Sequence, residues 1–415
     1  MMSYDKSTDL KSIQADVLTT NTTDNDLISS LKQLKTDNKS VTKAINALNE
    51  QLGNAQTSAS DAVARVVELE TVVTQLQAQL AGGDETGGDT HGTAEHVMGM
   101  VLVEEGNQTG TWVRVDKDFN TVEFNTEHGT WAGIKQVQNE TYGEFTEIPV
   151  TYVRTETLAD GPYAGKNCWW IADYPEDGFH VHPAFIGQDG QPHNLQIASW
   201  IASNKNDVPF SEDKGNESSG YWNNITYNAV HAKGWMSGGA RPYNIYDHHF
   251  LARMMLIEFG TSDVQSQTVD GVAWTGDYRI NYHGIHDPFG LPNKTEYIWL
   301  DGLTTMSGTY QVLAADGSLS MVETGVSCMS IAVIWPVNCR VDQVNGIDFG
   351  DLFIAHAKNS SVDSGSFADR QYVSSGSAFD VGCDTSNNYG VFFLSGSNYP
   401  AYVSSSIGWR VARCV

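Results

Sequence analysis

Apolar residues recur at alternating spacings of four and three along residues 27–80, and no Pro interrupts them. A strict seven-residue repeat of this kind is typical of a coiled coil, in which each helix buries a narrow apolar stripe against a partner helix. We therefore predict a parallel coiled coil over residues 27–80, preceded by a separate segment over residues 1–26. The predicted oligomerisation positions are Leu27, Leu31, Leu34, Asn38, Val41, Ile45, Leu48, Leu52, Val66, Leu69, Val73, Leu76 and Leu80.

Two questions about this repeat stay open. A single amphipathic helix folded onto the rest of the chain is the alternative to a coiled coil. The number of helices is also open, because the stripe mixes residue types and a buried Asn38 specifies register more than number.

The pattern changes after residue 80. Residues 81–96 begin with "AGGDETGGDTHG", which predicts a glycine-rich linker. All 11 Trp lie from Trp112 onward, where short runs of alternating apolar and polar residues stand between turn signals. Residues 147–158 and 166–174 are predicted to be one strand pair, and residues 227–235 and 244–263 to be helical. We expect a small β-rich subdomain over 97–165, a larger domain over 166–415, and an α+β fold class.

Charge and composition exclude several kinds of partner. The chain carries a net charge of −26, which disfavours nucleic acid and anionic membrane surfaces because both attract basic proteins. No apolar run reaches the length of about 18 residues that a spanning helix needs, so no membrane insertion is predicted. The five cysteines are scattered and contain no C-x-x-C pair, which indicates buried thiols from a reducing cytoplasm rather than a disulfide framework or a zinc site.

Histidines supply the candidate metal ligands. His180 and His182 stand two apart in "FHVHPAF", so an extended chain would place both imidazoles on one face. The alternative is a structural pair beside Pro183, and we predict no metal and no cofactor here. His283 and His286 form a second pair, for which polar loop residues are the simpler interpretation.

No catalytic motif supports an enzyme. The sequence contains no G-x-S-x-G, H-E-x-x-H or P-loop motif. Cys328 and Cys339 flank a ten-residue apolar stretch that matches no catalytic cysteine motif. A depolymerase would need two carboxylates held close together, and 50 acidic residues cannot be paired from sequence. We predict that the protein is not an enzyme.

Several motifs in order carry a resemblance to a known fold family. They are "EIPVTYVR", "CWWIADYPEDGFHVHPAFI", "QIASWIASN", "YNIYDHHFLARMMLIEFGTSD", "YIWLDGL" and "SSSIGWRVARCV". Residues 110–415 resemble phage structural proteins with a C-type-lectin-like fold, which is related to the formylglycine-generating, sulfatase-modifying enzymes. The resemblance implies a C-type-lectin-like domain rich in short antiparallel strands after the coiled coil.

The same resemblance implies a function. It suggests a phage virion fibre, on the tail or the head, that is a homotrimer and binds a glycan or protein of the host cell surface. Residues 1–26 would attach it to capsid or tail proteins, and it would be assembled in the host cytoplasm and displayed on the virion surface. Alternatives are a head fibre that decorates the capsid without a tight receptor, a sulfatase-modifying-type enzyme, and a cellular coiled-coil adaptor.

Late loops form the binding surface in that fold family, which directs attention to residues 366–405. Tyr, Ser, Gly and Asn dominate this stretch, as they do in the binding loops of antibodies. Ordinary turn residues are the alternative interpretation. The predicted receptor-binding residues are Arg370, Tyr372, Asn387, Asn388, Tyr389, Asn398, Tyr399 and Tyr402.

Overall fold

The structure is a computed structural model, and it divides the chain into two compact units, Met1–Thr90 and His91–Val415. In the first unit it describes only Ser29, Lys32, Gln33 and Lys43, each helical and exposed. The described residues of the second unit are 96–104, 110–214, 220–262, 264, 280–288, 297–305, 308–328, 339–354, 371–382 and 392–415.

The predicted fold class, an α+β protein with a long coiled coil, is wrong for the part of the chain that is described. That part is mostly β-strands in antiparallel sheets, and no long coiled coil is seen in it. Its α-helices are α1, Gly129–Ala132, α2, Tyr227–His231, and α3, Ile245–Phe259. The prediction gave helices too large a share of the fold. In the described residues most regular structure is short strands, and only α3 is longer than two turns. The predicted coiled-coil positions themselves lie outside the described residues.

The strands are short and follow one another closely along the described chain. Their bounds are β1 Val97–Glu104, β2 Thr111–Val115, β3 Lys135–Asn139, β4 Gly143–Ile148, β5 Tyr152–Thr157, β6 Asn167–Ala172, β7 His180–Val181, β8 Leu195–Ala198, β9 Ala202–Lys205, β10 Val208–Ser211, β11 Ala240–Pro242, β12 Asn281–Tyr282, β13 Ile285–His286, β14 Tyr297–Thr304, β15 Thr309–Leu313, β16 Met321–Ser327, β17 Gln343–Val344, β18 Ile347–Asp348, β19 Gln371–Val373, β20 Ala378–Gly382, β21 Leu394–Asn398, β22 Ile407–Gly408 and β23 Val411–Cys414.

Three larger sheets organise these strands. The first has the order β2-β1-β6-β5-β7, the second β11-β23-β8-β4-β10-β9 with β3 beside β4, and the third β16-β15-β14-β20-β21-β19 with β22 beside β14. The predicted pairing of residues 147–158 with 166–174 is confirmed, as β5 and β6 pair antiparallel from Tyr152–Ala172 to Thr157–Asn167. Strand β6 also pairs with β1, so the segments predicted as 97–165 and 166–415 share a sheet.

Helix α3 lies in the main apolar core and is buried from Ile245 to Ile257. Asn244 begins it with a capping box: its side chain accepts from the backbone N–H of Asp247, whose carboxylate accepts from the N–H of Asn244 at 2.8 Å. Gly260 ends it with a φ of 70°, a conformation that glycine adopts without strain. Both signals stand in the sequence, which explains why the predicted segment 244–263 matches this helix closely.

Buried arginines let a helix with polar residues lie inside the core. Arg241 donates to both carboxylate oxygens of Asp247, at 2.5 and 2.8 Å. Arg253 donates to the carbonyl oxygens of Trp170 and Gly350, at 3.0 and 2.7 Å. Both guanidinium groups therefore have the partners that burial requires, except at Nε of Arg253. Within the described residues, no helix is both long and apolar enough to cross a bilayer.

Candidate functional site

The loop that follows β21 carries an exposed aromatic patch. Tyr399 is 60% exposed and Val403 is 51% exposed, and among the described residues they are the two most exposed large hydrophobic side chains. The ring of Tyr402 meets that of Tyr399 edge to face, with centroids 5.7 Å apart. Apolar side chains grouped on a surface, rather than scattered singly, are typical of an interaction site.

Hydrogen bonds join this loop to the segment before α2. The backbone N–H of Asn224 donates to the carbonyl of Ser404 at 3.0 Å, and the side chain of Asn223 donates to the carbonyl of Ser405 at 2.9 Å. Asn224 has a φ of 56°, a left-handed conformation that Asn tolerates better than most residues. Tyr399, Tyr402 and Val403 thus form one surface with Asn223 and Asn224, which we call the Tyr399 surface.

Aromatic packing supports the Tyr402 side of the Tyr399 surface. Trp222 packs edge to face on the buried Trp409, with centroids 5.4 Å apart. The ammonium of Lys233 lies 4.7 Å from the ring of Trp222, within the range of a cation–π interaction. Both Tyr402 and Trp222 pack against the apolar cluster that contains Trp409. Packing therefore fixes the half-buried Tyr402, against which the exposed Tyr399 lies, and this reduces the conformational entropy that Tyr402 would lose on binding.

Asn398 has a structural role beside this surface. Its side-chain amide donates to the carboxyl of Asp380 at 3.0 Å. Asp380 is fully buried, and burial raises its pKa to about 7. A neutral carboxyl avoids the large penalty of burying a charge whose side-chain partners, Asn398 and Ser395, are both uncharged. The end of β21, from which the loop begins, is held in place by this contact.

Of the remaining predicted receptor-binding residues, the structure describes only Tyr372. Tyr372 lies in β19, opposite Ser395 of β21. Arg370, Asn387, Asn388 and Tyr389 lie outside the described residues. The structure thus brings together Asn398, Tyr399 and Tyr402 of the predicted set.

Sequence reasoning missed the partners that complete the surface. Trp222, Asn223 and Asn224 stand in "YWNNIT", a stretch with the same aromatic and amide composition as the late loop. That composition is the signal that could have found them. Their position next to residue 404 depends on long-range packing, which no local pattern encodes.

The histidine pair of "FHVHPAF" is split between two environments. The side chain of His180 is 41% exposed and its Nε2 lies 2.7 Å from Oδ2 of Asp351, a carboxylate that is buried. His182 is buried, and its Nδ1 accepts the N–H of Ala184 at the start of a 3₁₀ turn, Pro183–Phe185. Burial lowers the pKa of His182 to about 3, so the ring is neutral and able to accept this bond. The residue therefore acts as a cap for the turn.

A small group around His180 has the donor types of a cation site. One ligand atom each of His180, Asp348 and Asp351 lie within 4.8 Å of one another, and no other such group occurs among the described residues. Arg253 and His180 already hold the two oxygens of Asp351, at 3.2 and 2.7 Å. A cation would have to compete with the buried guanidinium for that carboxylate, so the ion-pair network accounts for the group without a metal.

The other chemical candidates are separated by the fold. His283 pairs with the carboxylate of Glu258 at 2.9 Å, whereas His286 stacks on the ring of Trp200 with centroids 3.7 Å apart. Burial raises the pKa of the thiols of Cys328 and Cys339, which disfavours the thiolate form that a nucleophile needs.

No family model matches the chain, and no curated protein matches it significantly. The functional argument therefore rests on the residues and their arrangement.

Proposed function

We propose that this protein is a phage virion surface protein that binds the host cell surface through the Tyr399 surface. The observation that carries the proposal is the exposed ring of Tyr399, which meets the half-buried ring of Tyr402 edge to face in a loop that is hydrogen-bonded to Asn223 and Asn224. Flat rings offer a face for the C–H groups of a sugar, and amides exchange hydrogen bonds with its hydroxyls. A host surface glycan is the ligand that fits this combination best.

The virion setting of the proposal derives from the motif resemblance described in the sequence analysis. We also propose that the chain acts as a homotrimer, so that three weak sites act together on one cell surface. The net charge of −26 supports solubility and would repel the viral genome during assembly. Light scattering of the full-length chain should give three times the mass of one chain, and a monomer would contradict the multivalent part of the proposal.

The nature of the ligand can be tested on bacterial cell envelopes. Immobilised envelopes from a panel of species would be treated either with periodate, which oxidises sugar diols, or with a protease, before the labelled full-length chain is added. We expect saturable binding to at least one species, lost after periodate and kept after protease. Binding lost only after protease treatment would mean that the ligand of the Tyr399 surface is a protein rather than a glycan. No binding to any envelope would contradict the proposal.

A further inference from the structure

A cleft of about 370 Å³ opens on the first sheet, formed by β1, β5, β6 and their neighbouring loops. Its elements differ from those of the Tyr399 surface, which belongs to β21 and the segment before α2. Clefts of this volume are the usual places where proteins bind small molecules.

The floor of the cleft is aromatic and rigid. Trp170 is 4% exposed, and Phe119 meets its ring edge to face with centroids 5.9 Å apart. Phe179 lines the cleft beside them, and these side chains belong to one apolar cluster with Leu158 and Val97. Ring faces here can bind an apolar body or, through their negative faces, a cation.

One ion pair in the cleft is already complete. Arg154 donates to Oε2 of Glu156 at 2.5 Å, while Nε1 of Trp170 donates to Oε1 of the same carboxylate at 2.9 Å. The guanidinium of Arg154 offsets the charge of Glu156, and the bond from Trp170 fixes the indole ring against the same carboxylate. The net charge that a ligand meets is therefore set by the other side chains around the cleft.

Those side chains make the cleft acidic. Asp160, Glu176 and Asp177 line it, with Lys117 as the further basic residue, which leaves three carboxylates against one ammonium. Asp160 and Asp177 are exposed, so both carboxylates can turn toward a ligand. Excess negative charge above an aromatic floor favours a cation and disfavours an anion.

We propose that this cleft is a second binding site, independent of the Tyr399 surface, for a small ligand that carries a protonated primary amine. The ammonium would lie among the carboxylates of Asp160, Glu176 and Asp177, and the body of the ligand would lie on Trp170 and Phe119. Both amino sugars and short aliphatic amines have this chemistry. Comparing the affinities of an amino sugar and an aliphatic amine distinguishes these two classes of ligand.

Isothermal titration calorimetry on the full-length chain tests the site with three probes. Glucosamine and N-acetylglucosamine share a ring but differ in charge, and 1,5-diaminopentane carries the amine on an aliphatic body. We expect glucosamine to bind at least about tenfold more tightly than N-acetylglucosamine, because one close charge pair is worth about that factor. If diaminopentane binds and glucosamine does not, the natural ligand of the cleft is an aliphatic amine rather than an amino sugar. Binding should weaken as salt rises, since the mouth is exposed.

A double variant, Asp160→Asn with Asp177→Asn, should weaken amine binding about tenfold, and Glu140→Gln serves as the control. Glu140 is also exposed but lies in the turn between β3 and β4, away from the residues that line the cleft. Equal affinity for glucosamine and N-acetylglucosamine would overturn the proposal. So would unchanged affinity in the double variant, or the absence of saturable binding by either amine. None of these results bears on envelope binding by the Tyr399 surface.

Discussion

Asp380 shows how one buried side chain makes stability depend on pH. Its folded pKa of about 7 lies above the ordinary value of 3.8, because burial penalises the charged form. The neutral carboxyl therefore contributes stability that is fully present below about pH 4 and is lost as pH rises toward 7. His182 acts in the opposite sense, since its lowered pKa makes the fold lose stability as pH falls from about 6.5 toward 3.

Comparing Asp380→Asn with the wild type isolates the contribution of Asp380. Asn keeps an acceptor for the amide of Asn398 but cannot ionise. The free energy of unfolding of the variant, relative to wild type, should rise between pH 4 and 7 by up to about 1.4 kcal/mol per pH unit, and then level off. Urea denaturation at several pH values measures it. Asp118→Asn, at an exposed position, is the control, and parallel pH curves for Asp380→Asn and wild type would contradict the account.

Residue types alone predicted part of the candidate site. Tyr399 and Tyr402 were selected because the late stretch combines aromatic and amide residues with turns, whereas Asn398 of the same stretch has a structural role. The sequence did not show that Asn398 bonds to Asp380, since the contact depends on the pairing of β20 with β21. Nor did the H-x-H spacing reveal that Pro183 turns the chain after His182, which places the two imidazoles in different environments.

At the scale of elements, the extent of α3 was predicted well, whereas the burial of its charged side chains was not predicted. Asn244 and Gly260 are strong start and stop signals, and they mark the helix ends in the structure. Asp247 and Arg253 are charged, yet both are fully buried. Each is buried with an oppositely charged partner outside the helix, Arg241 for Asp247 and Asp351 for Arg253. The spacing of apolar residues in the sequence does not reveal such pairs.

Arg241→Met should therefore be strongly destabilising. It leaves the buried carboxylate of Asp247 without its cation, which costs about 3–5 kcal/mol in comparable buried pairs. Arg340→Met is the matched control, because Arg340 pairs with Asp342, whose side chain is 52% exposed, and surface pairs contribute about 1 kcal/mol or less. Chemical denaturation of both variants measures the difference. Similar losses in the two would contradict the role assigned to the Arg241–Asp247 pair.

At the scale of the whole molecule, the pairing of strands could not be predicted. Strand β23 at residues 411–414 pairs with β8 and β11, and β1 pairs with β6. Alternating patterns predict that such strands exist, but their partners are selected by long-range packing. The local β5–β6 pair was predicted correctly because its strands are neighbours along the chain, whereas the fold class was wrong because strands predominate over helices in the described residues.

The same long-range packing creates the Tyr399 surface, which makes that surface the central claim about function. Binding by Tyr399→Ala should be compared with binding by Tyr174→Ala on a bacterial envelope that the wild-type chain binds. Tyr174 is also an exposed tyrosine, at 41%, but it follows β6 in another sheet. We expect Tyr399→Ala to weaken binding about tenfold or more, as loss of an aromatic anchor does, and Tyr174→Ala to leave it unchanged. Equal affinities of the two variants would contradict the assignment of the Tyr399 surface as the receptor-binding site.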